Sequence, residues 1–247
     1  MTADLEADIE LARRMGAVAD EVAMHYFESD YQWGWKGDGS PVTEADLAVE
    51  EALLRILAAE RPGDQVLSEE RGVVGGAGSR RWLLDPIDGT SYFLDGSGAW
   101  GSHIALEVDG EIVVGLISRP TLGRSWWAAQ GAGTWTSEGE RLAVTTTASL
   151  DGARLAGYVR PGSRWRAAVA QRAMWLHSAS PILDLIEGRL DAILSEGGYP
   201  WDHAPAVVLI REAGGRFTDL EGGDRIDLRG GLYSNGRLDE EIWSYRT

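Results

Sequence analysis

The sequence predicts a layered fold of mixed class, α/β or α+β, formed as one unit over residues 1–247 with approximate halves 1–150 and 151–247. Three observations lead to this class. Two amphipathic helical patterns open the chain, apolar strands with a two-residue turn occupy its middle, and short strands alternate with helices in its second half. Apolar residues make up 44% of the chain, which is enough for the sizeable core that such layers need.

The first two elements are predicted to be helices. Apolar residues recur at spacings of three and four over residues 4–26, which is the repeat of a helix with one buried face. A polar, glycine-rich loop that contains Lys36 follows. Thr43 can then cap a second helix, with Asp46 at its third position, and this helix is expected to end before Arg61.

The middle of the chain changes to the repeat of strands. Asp109 and Gly110 form a strong hairpin signal between two apolar runs, and the first run contains His103, which is expected to be structural. A stretch rich in glycine, residues 73–79, is predicted to be a mobile loop. The predicted strands of this half cover residues 65–68, 81–84, 102–108, 111–118 and 125–130.

The second half is predicted to mix both types of element, as layered folds do. Its clearest helix covers residues 201–213 and ends at two consecutive glycines. Two further helices are predicted over residues 163–172 and 181–187. Strands are predicted over residues 154–158, 190–195 and 216–219, with a turn at residues 234–236.

The charge balance excludes one class of partner and favours a metal cofactor. The chain has 39 acidic and 23 basic residues, a formal net charge of −16, so its surface repels nucleic acid. An anionic substrate is repelled too, unless bound divalent cations reverse the sign locally. The absence of cysteine excludes disulfides, thiolate chemistry and cysteine-ligated zinc. The N-terminal segment has no signal-peptide pattern and no apolar stretch can cross a bilayer, so we expect a cytoplasmic protein with no membrane partner.

The central chemical feature is the segment DPIDGT, residues 85–90, which follows an apolar strand. Its proline stiffens the turn and its glycine lets the backbone fold tightly. Asp85 and Asp88 are three residues apart and can therefore face one point, as hard divalent cations require of their oxygen ligands. The Ile87 carbonyl between them can be another ligand. The simpler interpretation is that two aspartates in a turn only form the turn.

Other carboxylates stand at the ends of predicted elements. Glu69 and Glu70 end a short strand, and Asp202 opens the helix of residues 201–213. Lys36 and Asp46 flank the start of the second helix. Each has a simpler explanation, because aspartate is a common helix N-cap and the remaining residues can belong to an ordinary cap and a solvated loop.

Four segments together resemble the inositol monophosphatase family of magnesium-dependent, lithium-sensitive phosphatases. They occur in the order and spacing of the family and span most of the chain. Residues 62–72 and 120–128 are most similar to its histidinol-phosphate phosphatase branch. The four segments are residues 36–50 (KGDGSPVTEADLAVE), 67–72 (LSEERG), 82–93 (WLLDPIDGTSYF) and 201–219 (WDHAPAVVLIREAGGRFTD).

The resemblance implies an alternating α/β/α/β/α sandwich, usually a homodimer, that binds two or three Mg²⁺ ions. Glu69, Asp85 and the Ile87 carbonyl would hold one ion, and Asp85, Asp88 and Asp202 would hold a second. Asp202 would also lie beside the bound substrate. Two or three metal ions neutralise a phosphate monoester and acidify a bound water, so this chemistry needs no covalent intermediate.

The resemblance also implies roles in catalysis and substrate binding. Glu70 would lie near a third, weaker metal position. Thr90, hydrogen-bonded to Asp46, would orient the attacking water, and the backbone amides of Gly89 and Thr90 would bind the phosphate. Glu196 is expected to contact the substrate, because it adjoins the position where relatives often carry a glutamate for that purpose.

Two departures from the family pattern predict an altered substrate pocket. The position seven residues before Asp202 is Ser195 instead of glutamate, and residues 174–181 lack the expected arginine and glycine. The predicted function is therefore magnesium-dependent hydrolysis of a small phosphate monoester. Histidinol phosphate, inositol phosphate and a sugar or specialised-metabolite phosphate all stay open as the substrate.

Three other functions compete with this prediction. A phosphatase that forms an aspartyl-phosphate intermediate is disfavoured, because two residues separate Asp85 from Asp88 where that signature has one. A catalytically inactive paralogue could bind metal or metabolite in a regulatory role. A purely structural or interaction protein would not need four aligned carboxylate segments.

Overall fold

Helices and strands alternate along the chain in the computed structural model, which describes residues 3–246. A short 3-10 helix covers Pro120–Leu122. None of the helices described is long and apolar enough to cross a membrane. The α-helices of this part of the chain are α1 (Ala3–Phe27), α2 (Glu44–Glu60), α3 (Thr90–Leu94), α4 (Arg164–Val169), α5 (Pro181–Ile186), α6 (Pro200–Glu212) and α7 (Asp239–Ser244).

The strands form an eight-stranded sheet, a five-stranded sheet and one small hairpin, β1 (Trp33–Trp35) with β2 (Pro41–Thr43). The spatial order of the large sheet is β10 (Arg141–Leu142), β9 (Gly133–Thr136), β8 (Arg124–Ala129), β7 (Glu111–Arg119), β6 (Gly101–Val108), β5 (Arg80–Asp88), β3 (Gln65–Ser68) and β4 (Gly72–Gly75). The order of the small sheet is β12 (Met174–Trp175), β11 (Arg154–Tyr158), β13 (Ala192–Ser195), β15 (Gly231–Ser234) and β14 (Arg216–Asp219).

Both sheets are buried on their two faces, which makes five layers. Successive residues of a strand point to opposite faces. In β5 of the large sheet, Leu83 packs toward α6, whereas Trp82 and Leu84 pack toward α1 and α2. In β13 of the small sheet, Ile193 packs toward α6 and Leu194 packs toward α4 and α7. The alternating α/β/α/β/α order expected from the resemblance is confirmed.

Glycine lets α6 approach the large sheet closely in the central layer. A Cβ atom on Gly115 of β7 would lie 2.9 Å from the Pro205 carbonyl oxygen and 2.4 Å from Cγ1 of Val208. Both residues belong to α6, which also packs on β6 and β8. Because backbone atoms cannot move aside cheaply, this contact fixes the height of α6 above the sheet.

The structure corrects three element predictions. The segment predicted as a mobile loop starts with β4, which pairs antiparallel with β3 at the sheet edge. Strand β5 continues through Asp88 instead of ending at Leu84, because it keeps pairing with β6 across a register shift. Helix α4 ends at Val169 instead of Arg172, and β12 begins five residues later, at Met174. The elements that sequence reasoning omitted are β1, β2, β9, β10, β12, β15, α3 and α7, all of six residues or fewer.

We expect Gly115→Ala to destabilise the fold by about 1–3 kcal/mol, because the new methyl group overlaps the backbone of α6. The free energy of unfolding, measured by urea denaturation, tests this. Gly63→Ala is the matched control, since a Cβ at Gly63 meets nothing within 4 Å, and we expect it to change stability by less than about 0.5 kcal/mol. Equal effects of the two substitutions would contradict the contact described.

Candidate active site

Four carboxylates from three different elements converge at one end of the large sheet. Glu69 directly follows β3, where its backbone N–H donates to the Leu84 carbonyl at 3.1 Å. Asp85 and Asp88 lie near the end of β5, and Asp202 lies in the first turn of α6. Their mutual proximity shows in Asp85, whose pKa responds to the charges of the other three.

A β-bulge aims the two aspartates of the DPIDGT segment. Asp85 pairs with His103 and Asp88 pairs with Gly101, so β5 has one residue more than β6 between these two positions. Such an insertion bends a strand and redirects its side chains. At Gly101 a Cβ would lie 1.9 Å from the Ser118 carbonyl oxygen, so only glycine allows this approach. The chain then turns at Gly89, with φ of 85°, into α3.

Asp85 is the most constrained of these carboxylates. It is 3% exposed, and its Oδ1 atom has no hydrogen-bond partner within the described residues. Burial raises its pKa well above the usual range, and the charges of Glu69, Asp88 and Asp202 raise it further. A buried anion without a partner is costly, so this oxygen is suited to a bound cation.

Asp202 is held by its own helix terminus. Its Oδ2 atom accepts a hydrogen bond of 2.8 Å from the Tyr199 backbone N–H, which is the bond of the third residue in a capping box. The N-cap interpretation of Asp202 is therefore wrong, because Tyr199 is the N-cap and Asp202 is the third residue of α6. Burial raises the pKa of Asp202 to about 7, with a further contribution from Asp88.

Lys36 supplies a cation to one side of the cluster. Its Nζ atom lies 2.7 Å from Oε1 of Glu69 and 2.6 Å from Oε1 of Glu70. Burial opposes the charge of Lys36, but the two carboxylates raise its pKa nevertheless. Burial raises the pKa of Glu70 to about 7, against the effect of Lys36.

Arg119 and His103 approach the cluster from the other side, next to Asp88. The Arg119 Nη2 atom lies 3.1 Å from Asp88 Oδ2, and the His103 Nε2 atom lies 3.3 Å from the same oxygen. Burial would raise the pKa of Asp88, but His103 and Arg119 outweigh it and the pKa is lowered. Sequence reasoning overlooked Arg119 and assigned His103 a structural role. The signal available was the position of each polar residue in an apolar strand.

Thr90 links the end of the DPIDGT segment to α2. Its Oγ1 atom lies 3.3 Å from Asp46 Oδ1 and 3.2 Å from the Ile87 carbonyl oxygen. The Asp46 Oδ2 atom accepts from the Thr43 backbone N–H at 2.8 Å and from the Thr43 hydroxyl at 2.6 Å. Asp46 is fully buried, so the capping box of α2 holds it rigidly toward Thr90.

A cavity of about 220 Å³ adjoins Asp88 and Asp202. Ser195 lines it, but Glu196 does not. The Glu196 carboxylate instead accepts from the Arg160 backbone N–H at 2.9 Å and the Ser163 hydroxyl at 2.8 Å. Strand alternation explains the difference, because neighbouring residues at the end of β13 point to opposite sides. We call this cavity the substrate cavity. Its other lining residues are His103, Tyr158, Ile182, Gly197, Gly198, His203 and Tyr233.

The donor set fits a hard divalent cation. Ligand atoms of Asp85, Asp88 and His103 lie within 4.8 Å of one another. The charges of Glu69 and Asp202 also act on Asp85, and oxygen-rich sets of this kind suit Mg²⁺ better than softer metals. Burial lowers the pKa of His103 to about 4, so its imidazole adds no charge near neutral pH.

Comparison with known proteins agrees with this geometry. The model of the inositol monophosphatase family matches residues 1–246. A Streptomyces griseus protein named glucose-1-phosphate thymidylyltransferase is 48% identical over 241 residues, 94% of this chain and 93% of that protein. The histidinol-phosphatase of Mycobacterium tuberculosis is 37% identical over 249 residues, 95% of this chain and 96% of the relative. An inositol monophosphatase from Zymomonas mobilis has a TM-score of 0.86 at 27% identity and covers 100% of both chains.

The name of the Streptomyces griseus relative describes a transferase, whereas the family model and the other similar proteins describe phosphatases. None of them points to an inactive paralogue. The family match over nearly the whole chain and the 37% identity to a histidinol-phosphatase show that this protein belongs to the inositol monophosphatase family of phosphoric monoester hydrolases.

Proposed function

We propose that this protein hydrolyses a small phosphate monoester with two or three Mg²⁺ ions as cofactors. The observation that carries the proposal is the buried, unpaired Oδ1 atom of Asp85, which lies among three further carboxylates. Histidinol phosphate, an inositol phosphate, or a sugar or specialised-metabolite phosphate is the proposed substrate. Two relatives are named for the first two of these substrates, one a histidinol-phosphatase and the other an inositol-1-monophosphatase.

Five residues are proposed to hold the metal: Glu69, Asp85, Ile87 through its carbonyl, Asp88 and Asp202. When bound, divalent cations neutralise the phosphate dianion and lower the pKa of an attacking water. Glu70 belongs to a third, weaker position. Lys36 now neutralises Glu69 and Glu70, so we expect its ammonium group to move aside as metal binds there.

Thr90 and Asp46 are proposed to orient the attacking water. A hydroxyl that donates its hydrogen bond to Asp46 turns its lone pairs outward, so toward water it can only accept a hydrogen bond. The Ile87 carbonyl competes for the same Thr90 proton at a similar distance. Once that carbonyl is engaged elsewhere, Asp46 is the remaining acceptor, and the water is held in one orientation for in-line attack.

The phosphate and the rest of the substrate are proposed to occupy two neighbouring places. The backbone amides of Gly89 and Thr90 bind the phosphate, next to the carboxylate cluster. The substrate body lies in the substrate cavity beside Asp202. The resemblance to the family makes Glu196 a proposed substrate contact. Its carboxylate, however, accepts hydrogen bonds from Arg160 and Ser163 of the neighbouring loop.

Phosphate release from a panel of monoesters tests the reaction. The panel contains histidinol phosphate, inositol phosphates, sugar phosphates and adenosine 3′,5′-bisphosphate, each with MgCl₂ and with a chelator. Magnesium-dependent release from one member supports the proposal and names the substrate class. Release that continues in chelator would overturn the role of the metal. Homodimerisation and a cytoplasmic location stay predictions, and light scattering of the purified protein checks the first.

We expect Asp88→Asn and Asp202→Asn each to lower kcat/KM by more than about a hundredfold, because loss of a metal ligand exceeds the effect of losing an outer partner. Circular dichroism should show an unchanged fold. Asp224→Asn, an exposed carboxylate outside the cluster, is the control and should keep normal turnover. Near-normal activity of either ligand variant would remove that residue from the proposed metal site.

We expect Thr90→Val to lower kcat by about a hundredfold, because the attacking water loses the hydroxyl that orients it. Thr90→Ser keeps the hydroxyl and should retain most of the activity. Valine has nearly the shape of threonine, so the Mg²⁺ concentration for half-maximal activity should change little in both variants. A Thr90→Val enzyme that fails only at low Mg²⁺ would show that Thr90 supports metal binding instead.

The raised pKa values of Asp85 and Asp202 predict how Mg²⁺ stabilisation depends on pH. The metal-free folded state keeps protons that the unfolded chain releases near pH 4, so these groups stabilise it at low pH. The contribution of Asp202 is lost as pH rises through about 7. Metal binds the deprotonated carboxylates, so the gain in Tm from MgCl₂ should be larger at pH 8 than at pH 5.5.

Thermal unfolding with MgCl₂ or with chelator, at both pH values, measures this difference. NaCl of equal ionic strength controls for screening. The Asp202→Asn variant should lose most of the dependence on pH. A gain in Tm that is equal at both pH values would show that the cluster is already ionised at pH 5.5.

A further inference from the structure

A second cavity of about 260 Å³ lies beside the substrate cavity, and its lining is basic. We call it the arginine cavity. Its lining residues are Arg160, Arg164, Trp165, Glu196, Leu220 and Arg246. Three guanidinium groups around one opening stand out in a chain whose formal net charge is −16.

None of these three guanidinium groups has an ion-pair partner among residues 3–246. Among residues 3–246, no carboxylate lies within 4.0 Å of the side chain of Arg160 or Arg164. Several other arginines of the same half are paired, such as Arg154 with Asp191 at 3.2 Å and Arg189 with Asp184 at 2.6 Å. The arginine cavity therefore presents positive charge that the protein itself does not neutralise.

The one acidic residue of the lining is already occupied. Both oxygens of Glu196 accept hydrogen bonds, from the Arg160 backbone N–H and from the Ser163 hydroxyl. Its carboxylate thus shapes the loop that carries Arg160 and Arg164. Arg246 lies over the rings of Trp165 and Trp243, at 5.9 and 5.1 Å from their centroids, and this packing holds its guanidinium group at the edge of the cavity.

Two strand ends separate the arginine cavity from the substrate cavity. Tyr158 and Ser195 face each other in β11 and β13, and both line the substrate cavity. Glu196 follows directly, donating its backbone N–H to the Tyr158 carbonyl at 2.8 Å. Arg160 is two residues beyond Tyr158, a distance of at most about 7 Å along the chain. The two cavities therefore lie on either side of these strand ends, and a molecule that extends past the ends of β11 and β13 would meet both.

We propose that the arginine cavity binds a second anionic group, a phosphate or a carboxylate, on the molecule whose phosphate ester is hydrolysed. This inference rests on the proposed function, because it assigns the substrate class of the same site. Guanidinium groups bind both anions through paired N–H donors. The substrate is then a sugar- or cyclitol-sized phosphate monoester with an anionic substituent opposite its scissile phosphate.

Three compounds with one common body test the assignment. Glucose 1-phosphate lacks the second anion, glucuronic acid 1-phosphate has a carboxylate at the far carbon, and glucose 1,6-bisphosphate has a phosphate there. Each is measured as a substrate and as a competitive inhibitor of 4-nitrophenyl phosphate hydrolysis. The variants are Arg160→Gln, Arg164→Gln and the double substitution, which keep the backbone bond to Glu196. Arg166→Gln is the control, because Arg166 lies on the same helix but over Trp175, outside the cavity.

We expect the normal protein to bind at least one doubly anionic compound about fivefold or more tightly than glucose 1-phosphate, an effect of the size of a partly exposed ion pair. The double variant should lose this preference, while its kcat/KM for 4-nitrophenyl phosphate is unchanged and Arg166→Gln behaves normally. The preference should also weaken at high salt. Preference for the carboxylate or for the phosphate names the second anion.

Equal inhibition constants for the three compounds, or a preference that survives in the double variant, would overturn the proposal. An equal loss of the preference in Arg166→Gln would also overturn it, because the preference would then come from the overall positive charge of this surface and not from the arginine cavity. If no phosphate is released from any monoester, the proposed function itself fails. Calorimetric titration with glucose 1,6-bisphosphate separates the two results, since heat that disappears in the double variant supports the arginine cavity without any turnover.

Discussion

The whole site depends on one electrostatic constraint, the gathering of like charges at a buried place. Asp85 is almost inaccessible to solvent, and Asp88 and Asp202 lie close enough to raise its pKa further. Such a cluster is unstable unless protons or cations neutralise it. The protein supplies cations at two edges, Lys36 on one side and Arg119 on the other. In the proposed function a metal ion neutralises the centre, so part of the stability of this region would depend on that ion.

The layered architecture is what holds the repelling groups together. The carboxylates follow strand ends or open helices, so the cores on either side of the large sheet fix their positions. Helix α6 is the central part, since it lies between the two sheets and carries Asp202 at its start. Its close contact with Gly115 fixes α6, and with it Asp202, relative to the large sheet. The bulge between Asp85 and Asp88 then completes the arrangement.

The two neighbouring cavities have different electrostatic character. The substrate cavity has neutral walls away from the metal site, because burial lowers the pKa values of His103 and His203 to about 4 and Ser195 carries no charge. A cationic substituent therefore finds no carboxylate on those walls. The arginine cavity next to it is positive. Within the proposed site, this combination would favour hydroxyl and anionic substituents over amines.

Local pattern in the sequence determined the long helices, the hairpin at Asp109 and the DPIDGT segment, because periodicity and turn chemistry act over a few residues. Four distant segments in family order were also enough to predict the sandwich and the carboxylates. Only the tertiary structure decided that Arg119 and His103 reach Asp88 and that Glu196 turns away from the substrate cavity. Those outcomes depend on a one-residue bulge and on the face that a strand end presents, which are set by pairing between segments far apart in the chain.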